Sequence, residues 1–160
     1  GWETWLKAGL ETSAQAAHIT PGAFRGALRE PAVDVKHIVS NLGQRASCIL
    51  DARSPDRFRG ENETLDPVGG HIPGALNRFF KHNLAPDGRF KPAPELKQEF
   101  SALLGALDPS QVVHQCGSGV TACHNLLAME IAGLAGSRLY AGSWSEWCSD
   151  ARRPVARSRA

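Results

Sequence analysis

The feature that most constrains this chain is a cysteine placed where one hydrophobic periodicity gives way to another. Gln111-Val112-Val113-His114 reads as a strand, and Leu126-Leu127-Ala128-Met129 belongs to a long apolar helical segment. Between them runs Cys116-Gly117-Ser118-Gly119-Val120-Thr121-Ala122, with two glycines, two hydroxyls and no charge. Strand, short glycine-rich loop and helix form the local plan of a parallel α/β sheet, where functional groups gather at the carboxyl ends of strands. Cys116 stands at such an end.

The rest of the chain alternates in the same way. Asp34 is placed to cap a helix carrying His37, Ile38, Val39 and Leu42 on one face, with Gly43 ending it. Residues 47–51 are a short apolar run between polar neighbours and read as a buried strand. Residues 53–92 read as a long loop region, broken by Gly60, Pro67, Gly69, Gly70, Pro73, Gly74, Pro86 and Gly88. An amphipathic helix is predicted over 94–107, apolar at Leu96, Phe100, Leu103 and Leu104 and closed by Gly105. A strand at 111–115, a helix from about 121 to 134, a strand at 138–140 and a helical turn at 144–148 complete the pattern. The expected fold is α/β, with a mostly parallel central sheet flanked by helices on both faces.

Composition removes several function classes. With 160 residues, 42% hydrophobic and 21% charged, the chain has the make-up of a soluble globular domain. A net charge of +2 and scattered basic residues argue against a nucleic-acid partner. The basic stretch from Arg152 to Arg159 reads as a solvated terminus, with 157–160 as a disordered tail. No apolar run approaches the roughly 20 residues that cross a bilayer, so no membrane partner is expected. Cys48, Cys116, Cys123 and Cys148 are too sparse for a disulfide scaffold and suggest reduced thiols in a cytoplasmic enzyme.

All four tryptophans fall in two similar segments, Gly1-Trp2-Glu3-Thr4-Trp5 and Gly142-Ser143-Trp144-Ser145-Glu146-Trp147. A spacing of three puts both indoles on one helical face, where they would seal a core. The echo suggests that 1–14 is the tail of a preceding homologous domain plus linker, and that 15–156 is the domain proper.

If the helix begins near Thr121, the N–H groups of 117–122 curl over the Cys116 sulfur, and the helix start adds roughly half a positive charge. Gly117 and Gly119 are expected to supply the positive φ values of such a cradle. It would favour the nucleophilic thiolate and would also hold an anionic sulfur species attached to Cys116. Rival readings fit less well. A buried structural thiol has no need of Gly-Ser-Gly. A cysteine phosphatase needs an arginine six residues on, where this chain has Ala122. A P-loop needs a lysine that the loop lacks. His114, Cys116, Cys123 and His124 lack a close Cys-x-x-Cys knuckle, and Cys123 and His124 face different sides of a helix, so no metal is expected.

The residues from Cys116 to Ala122 resemble the active-site loop of the rhodanese family, in its 3-mercaptopyruvate sulfurtransferase branch. Thiosulfate sulfurtransferases of that family typically carry Arg-Lys-Gly where this chain has Gly117-Ser118-Gly119. Asp51-Ala52-Arg53 with Arg57-Phe58, Gly70-His71-Ile72-Pro73-Gly74-Ala75, and Gly142 to Trp147 are similar to further family segments, over about 17–156.

The resemblance implies a rhodanese-like domain and a sulfur-accepting nucleophile at Cys116, which becomes a persulfide. It implies proton transfer assisted by Ser118, and a substrate anion bound by Arg57 and by the loop residues Gly117, Gly119, Val120 and Thr121. His71 reads as loop architecture, and Cys123 and His124 as helix residues packed behind the loop. The expected reaction moves a sulfane sulfur from 3-mercaptopyruvate to a thiol, a thioredoxin-like acceptor or cyanide, without a cofactor. Thiosulfate as donor, or a non-catalytic binding module, are the alternatives. Members of the branch usually have a second substrate arginine that residues 60–69 lack, leaving Arg59 as a candidate substitute. The family also draws site residues from a first domain, so an upstream rhodanese-like domain is an expected partner.

Overall fold

A computed structural model describes residues 1–26, 32–44 and 47–157. Its centre is a pair of strands, β2 (Cys48–Asp51) and β4 (Val112–Gln115), buried at every position. Strands covered on both faces need no polar side, so their near-continuous apolar runs suit a parallel sheet. The two lie in parallel register from Cys48 opposite Val112 to Asp51 opposite Gln115. Three short strands complete the sheet: β1 (Ala32–Val33), β3 (Leu76–Asn77) and β5 (Arg138–Tyr140). The order is β1-β5-β4-β2-β3 and every pairing is parallel.

Successive strand residues point to opposite faces, and this alternation divides the core in two. Ile49, Val113 and Tyr140 pack with Ile38 of α2 (Val35–Ser40) and with Trp144 and Trp147 of α6 (Ser143–Cys148). Cys48, Leu50 and Val112 meet Leu96, Phe100 and Leu104 of α4 (Ala93–Leu104) and Ala128 and Met129 of α5 (Val120–Ile131). Helices therefore cover both faces, as expected.

The loop reading of 53–92 needs correction. That interval contains α3 (Pro55–Arg59), β3 and a 3-10 turn at Phe80–Asn83. Each is too short to show a period, but Pro55 at the helix start and Gly60 at its end, with φ 83°, are ordinary helix punctuation. The two-residue β1 is likewise invisible in the sequence pattern. α4 stops at Leu104, not 107, because Gly105 leaves the helix with φ 63°, and α5 ends at Ile131, short of Gly133 with φ 74°. Asp34 does cap α2, its Oδ1 accepting the His37 N–H at 2.9 Å.

The two tryptophan pairs share their spacing and differ in their surroundings. Trp144 and Trp147 are fully buried, and their indole N–H groups donate to Val68 O and Pro154 O. Trp2 and Trp5 lie on α1 (Trp2–Lys7), 65% and 45% exposed, in a segment where residues 1–26 are exposed throughout. At the other end, Arg157 donates its Nε–H to Gly69 O, and residues 158–160 of the expected tail lie outside the described residues.

Candidate active site

The parallel register of β2 and β4 sets the site. Asp51 and Gln115 are partners at the carboxyl ends, so the chain leaves both strands side by side, and the Ala52 N–H donates to Gln115 O at 2.8 Å. Ala52 and Cys116 therefore share one floor, packed with Ala122, Phe80 and Leu139. Cys116 is 2% exposed at the base of a cleft of about 550 Å³.

The loop from Cys116 is held from two sides. α5 begins at Val120, after Gly119 takes φ 84°. No turn or loop carbonyl among the described residues accepts from the N–H groups of Gly117 to Thr121, which leaves the first amides of α5 available to an anion. From the other side comes α6. The Trp144 N–H donates to Cys116 O at 3.0 Å and the Ser145 N–H to Gly117 O at 2.9 Å. Ser143 Oγ accepts the Cys116 N–H at 3.1 Å and donates to Tyr140 O at 2.9 Å. Ser143 does this at φ 54°, where it is the one non-glycine residue with positive φ among the described residues.

The two loop glycines do different work, which corrects the expectation that both supply positive φ. A Cβ on Gly119 would lie 2.7 Å from Ala141 O, so both its φ and its contact require glycine. Gly117 is not left-handed, and a Cβ there would meet the Arg57 guanidinium nitrogens at an ordinary 3.7 Å. Gly119 is buried beneath the loop, whereas Cys116, Gly117, Ser118, Val120, Thr121 and Arg57 all line the cleft. Ser118 is exposed at its mouth.

Arg57 sits over Gly117, as an anion-binding residue would, but it arrives already paired. Its Nε and Nη2 form a bidentate contact with Glu63, at 2.7 to 3.1 Å, and Nη2 lies 3.4 Å from Asp66. Its Nη1 makes no hydrogen bond among the described residues, so one edge still faces the loop. Glu63 also reaches Arg53 at 3.4 Å, and Arg53 is tied to Asp51 and to Gly70 O, with its guanidinium over the Trp144 ring. Burial pushes the Glu63 carboxyl up, but hydrogen bonds from Arg57 and from the Leu65 and Asp66 N–H groups outweigh it and hold the group below its ordinary range.

Other candidates fall elsewhere. Arg59 is paired with Glu61 and does not line the cleft. His71 stacks on Phe58 at 3.7 Å and bonds Phe58 O through Nδ1, away from the cleft lining, which is architecture. His124 packs against Phe80 and Phe90 behind the loop, but Cys123 is exposed, its Sγ–H donating to Gly119 O. Glu63, Asp66, Lys81, Phe79 and Ser143 also belong to the site or its frame and are absent from the residues expected from sequence. Of these, Ser143 had a signal, its place within the Gly142–Trp147 segment.

A parallel α/β domain that offers a buried cysteine under a helix N-terminus is thus defined by the geometry, and comparison gives the family. The model of the rhodanese-like domain matches residues 33–150, and the chain belongs to that family. A Pseudomonas aeruginosa protein named probable 3-mercaptopyruvate sulfurtransferase is 50% identical over 160 residues, covering 98% of this chain and 55% of that protein. Mouse 3-mercaptopyruvate sulfurtransferase is 36% identical, over 92% of this chain and 50% of that one. Rat thiosulfate sulfurtransferase is 33% identical, with the same coverage. The chain spans about half the length of these relatives. Among solved structures, an anaerobic ergothioneine biosynthesis enzyme from Chlorobium limicola superposes with TM-score 0.82 at 22% identity, over 100% of this chain and 40% of that one, which shows the shared fold. No helix among the described residues is long and apolar enough to cross a membrane.

Proposed function

We propose that this domain is the catalytic half of a sulfurtransferase in which Cys116 carries the sulfur. The observation that supports this most is Cys116 at the floor of a cleft also lined by Gly117, Ser118, Val120 and Thr121, in a loop whose N–H groups meet no turn or loop carbonyl among the described residues. The Cys116 thiolate attacks the sulfur of 3-mercaptopyruvate, an S–S bond forms, and the C–S bond breaks with its electron pair going to carbon. The resulting enolate takes the proton that the donor thiol gave up, yielding pyruvate and a Cys116 persulfide. Ser118, exposed beside the sulfur, is suited to relay that proton. An acceptor thiolate, small or on a thioredoxin-like protein, or cyanide then takes the outer sulfur and restores the Cys116 thiolate. No step calls for a metal or an organic cofactor.

A preceding rhodanese-like domain completes this reading. Trp2 and Trp5 are exposed with the spacing that Trp144 and Trp147 use to seal a core, and the chain spans about half the length of the relatives. Four free thiols suit a reducing compartment, and we read the location as cytoplasmic.

Steady-state kinetics with both donors tests the assignment. The predicted result is a higher kcat/KM for 3-mercaptopyruvate than for thiosulfate, whose departing sulfite profits from cations beside the cysteine that this loop lacks. A clear preference for thiosulfate would refute it.

A further inference from the structure

The cleft is lined by three cations, and two of them are already answered. Arg53 is held by Asp51 and Glu63, and Arg57 by Glu63 and Asp66. Three carboxylates therefore stand against two guanidiniums, leaving this part of the site one negative charge in excess. An anionic donor entering it would be repelled unless another cation intervened. The third cation is Lys81. It lines the same cleft as Cys116, Gly117, Ser118 and Thr121, is exposed, and has no ion-pair partner among the described residues. Its ammonium lies 5.9 Å from the Phe79 ring, itself part of the lining, which keeps the side chain beside the cleft. Its backbone is well placed: the Phe80 N–H donates to Ala52 O, fixing the start of the 3-10 turn to the floor that carries Cys116.

Leu65 also lines the cleft, so the segment that supplies Glu63 and Asp66 contributes an apolar side chain there and no cation. We propose that Lys81 is the residue that binds the carboxylate of the sulfur donor, with Arg57 oriented by Glu63 as its neighbour across the loop. This assignment rests on the sulfurtransferase reading for the identity of the donor. The chemistry it requires is more general: a small carboxylate approaching the Cys116 sulfur. A lysine is apt for this, since its mobile point charge can meet a carboxylate at varying positions without a fixed bidentate geometry.

The test compares alkylation of Cys116 by iodoacetate, which is anionic, and by iodoacetamide, which is neutral and of similar size. Peptide mapping reads Cys116 separately from the other thiols. Lys81→Met is expected to lower the iodoacetate-to-iodoacetamide rate ratio at Cys116 by about two- to fivefold, the range an exposed charge pair sustains. Lys81→Arg should restore it. Lys97→Met, which removes the same charge from the exposed side of α4, should leave the ratio unchanged. With 3-mercaptopyruvate, Lys81→Met should raise KM and leave kcat nearly unaltered. An unchanged ratio in Lys81→Met, or an equal fall in Lys97→Met, would overturn the proposal. A donor that leaves no persulfide on Cys116 would instead contradict the proposed function, while the alkylation ratio would still decide the role of Lys81.

Discussion

Ser143 Oγ accepts the Cys116 N–H at 3.1 Å and donates its own O–H to Tyr140 O at 2.9 Å, so one hydroxyl ties the start of the cysteine loop to the end of β5. The bond joins positions 27 residues apart and fixes the start of the loop that leads into α5. It also requires Ser143 to adopt φ 54°, a conformation that costs a side-chain-bearing residue roughly 1–2 kcal/mol. The cost is met because Ser143 is fully buried and bonded on both sides.

Replacing Ser143 therefore has two separable effects. Ser143→Ala loses the hydroxyl and keeps the strain, and should destabilise the domain by about 1–3 kcal/mol, since it leaves the Cys116 N–H unpaired. Ser143→Gly loses the same hydroxyl but relieves the backbone, and should be the more stable of the two by about 1 kcal/mol. Both should slow sulfur transfer. Denaturant unfolding of the pair gives the order; an alanine variant as stable as the glycine one would contradict it.

Glu63 offers a prediction with a pH signature. Its carboxyl is held below the ordinary range in the folded protein, so it stabilises the fold fully above the unfolded value of about 4.3, and that contribution is lost as pH falls through the lower folded value. Glu63→Gln should cost about 1–3 kcal/mol near neutral pH, and the gap to the parent protein should close in acid. The same variant unburdens Arg57, so it should speed Cys116 alkylation by iodoacetate relative to iodoacetamide. Melting temperatures against pH, with the two alkylation rates, check both halves.

His114 should add to the loss of stability in acid in the same experiment. It lies fully buried in β4 with no hydrogen-bond partner at either ring nitrogen among the described residues, and burial pushes it down to about 3. Between about 6.5 and that value the unfolded chain binds a proton that the folded chain refuses, so stability falls as pH falls. His114→Leu removes the titrating group at similar volume and should flatten the stability profile across that window. A profile as steep as the parent's would mean that another group carries the acid response.

How much of this was legible in the sequence depended on how local each cause is. Cys116, its glycine-rich loop and the following helix are contiguous, and the strand that precedes them is buried on both faces, so the site's floor could be read directly. The carboxylates on Arg57 could not. Glu63 and Asp66 reach it only because α3 turns at Gly60 and the chain folds back, and residues 53–92 show no period to announce this. The left-handed Ser143 was equally hidden, because serine carries no signal for positive φ. Gly117 gave the reverse error: a glycine that looked conformationally necessary has an ordinary backbone, and a Cβ there would meet Arg57 only at ordinary contact distance.

That last contact sharpens what a donor switch should do. Gly117→Arg with Ser118→Lys installs the cations that suit a departing sulfite, and the backbone at Gly117 accepts a side chain. Each charge-assisted contact is worth about 1.5–3 kcal/mol, so the kcat/KM ratio should move toward thiosulfate by roughly tenfold or more, limited by repulsion from the neighbouring Arg57. Kinetics of the double variant with both donors gives the ratio.

The central claim, that Cys116 carries the transferred sulfur, is tested most directly by peptide mass spectrometry after brief treatment with 3-mercaptopyruvate. Burial pushes the Cys48 and Cys148 thiols up, away from the reactive thiolate, and Cys123 stands exposed outside the cleft lining. The account predicts one added sulfur atom on the peptide containing Cys116, located at that residue by fragmentation, and its removal by cyanide. Added sulfur at Cys48, Cys123 or Cys148, or none at Cys116, would contradict it.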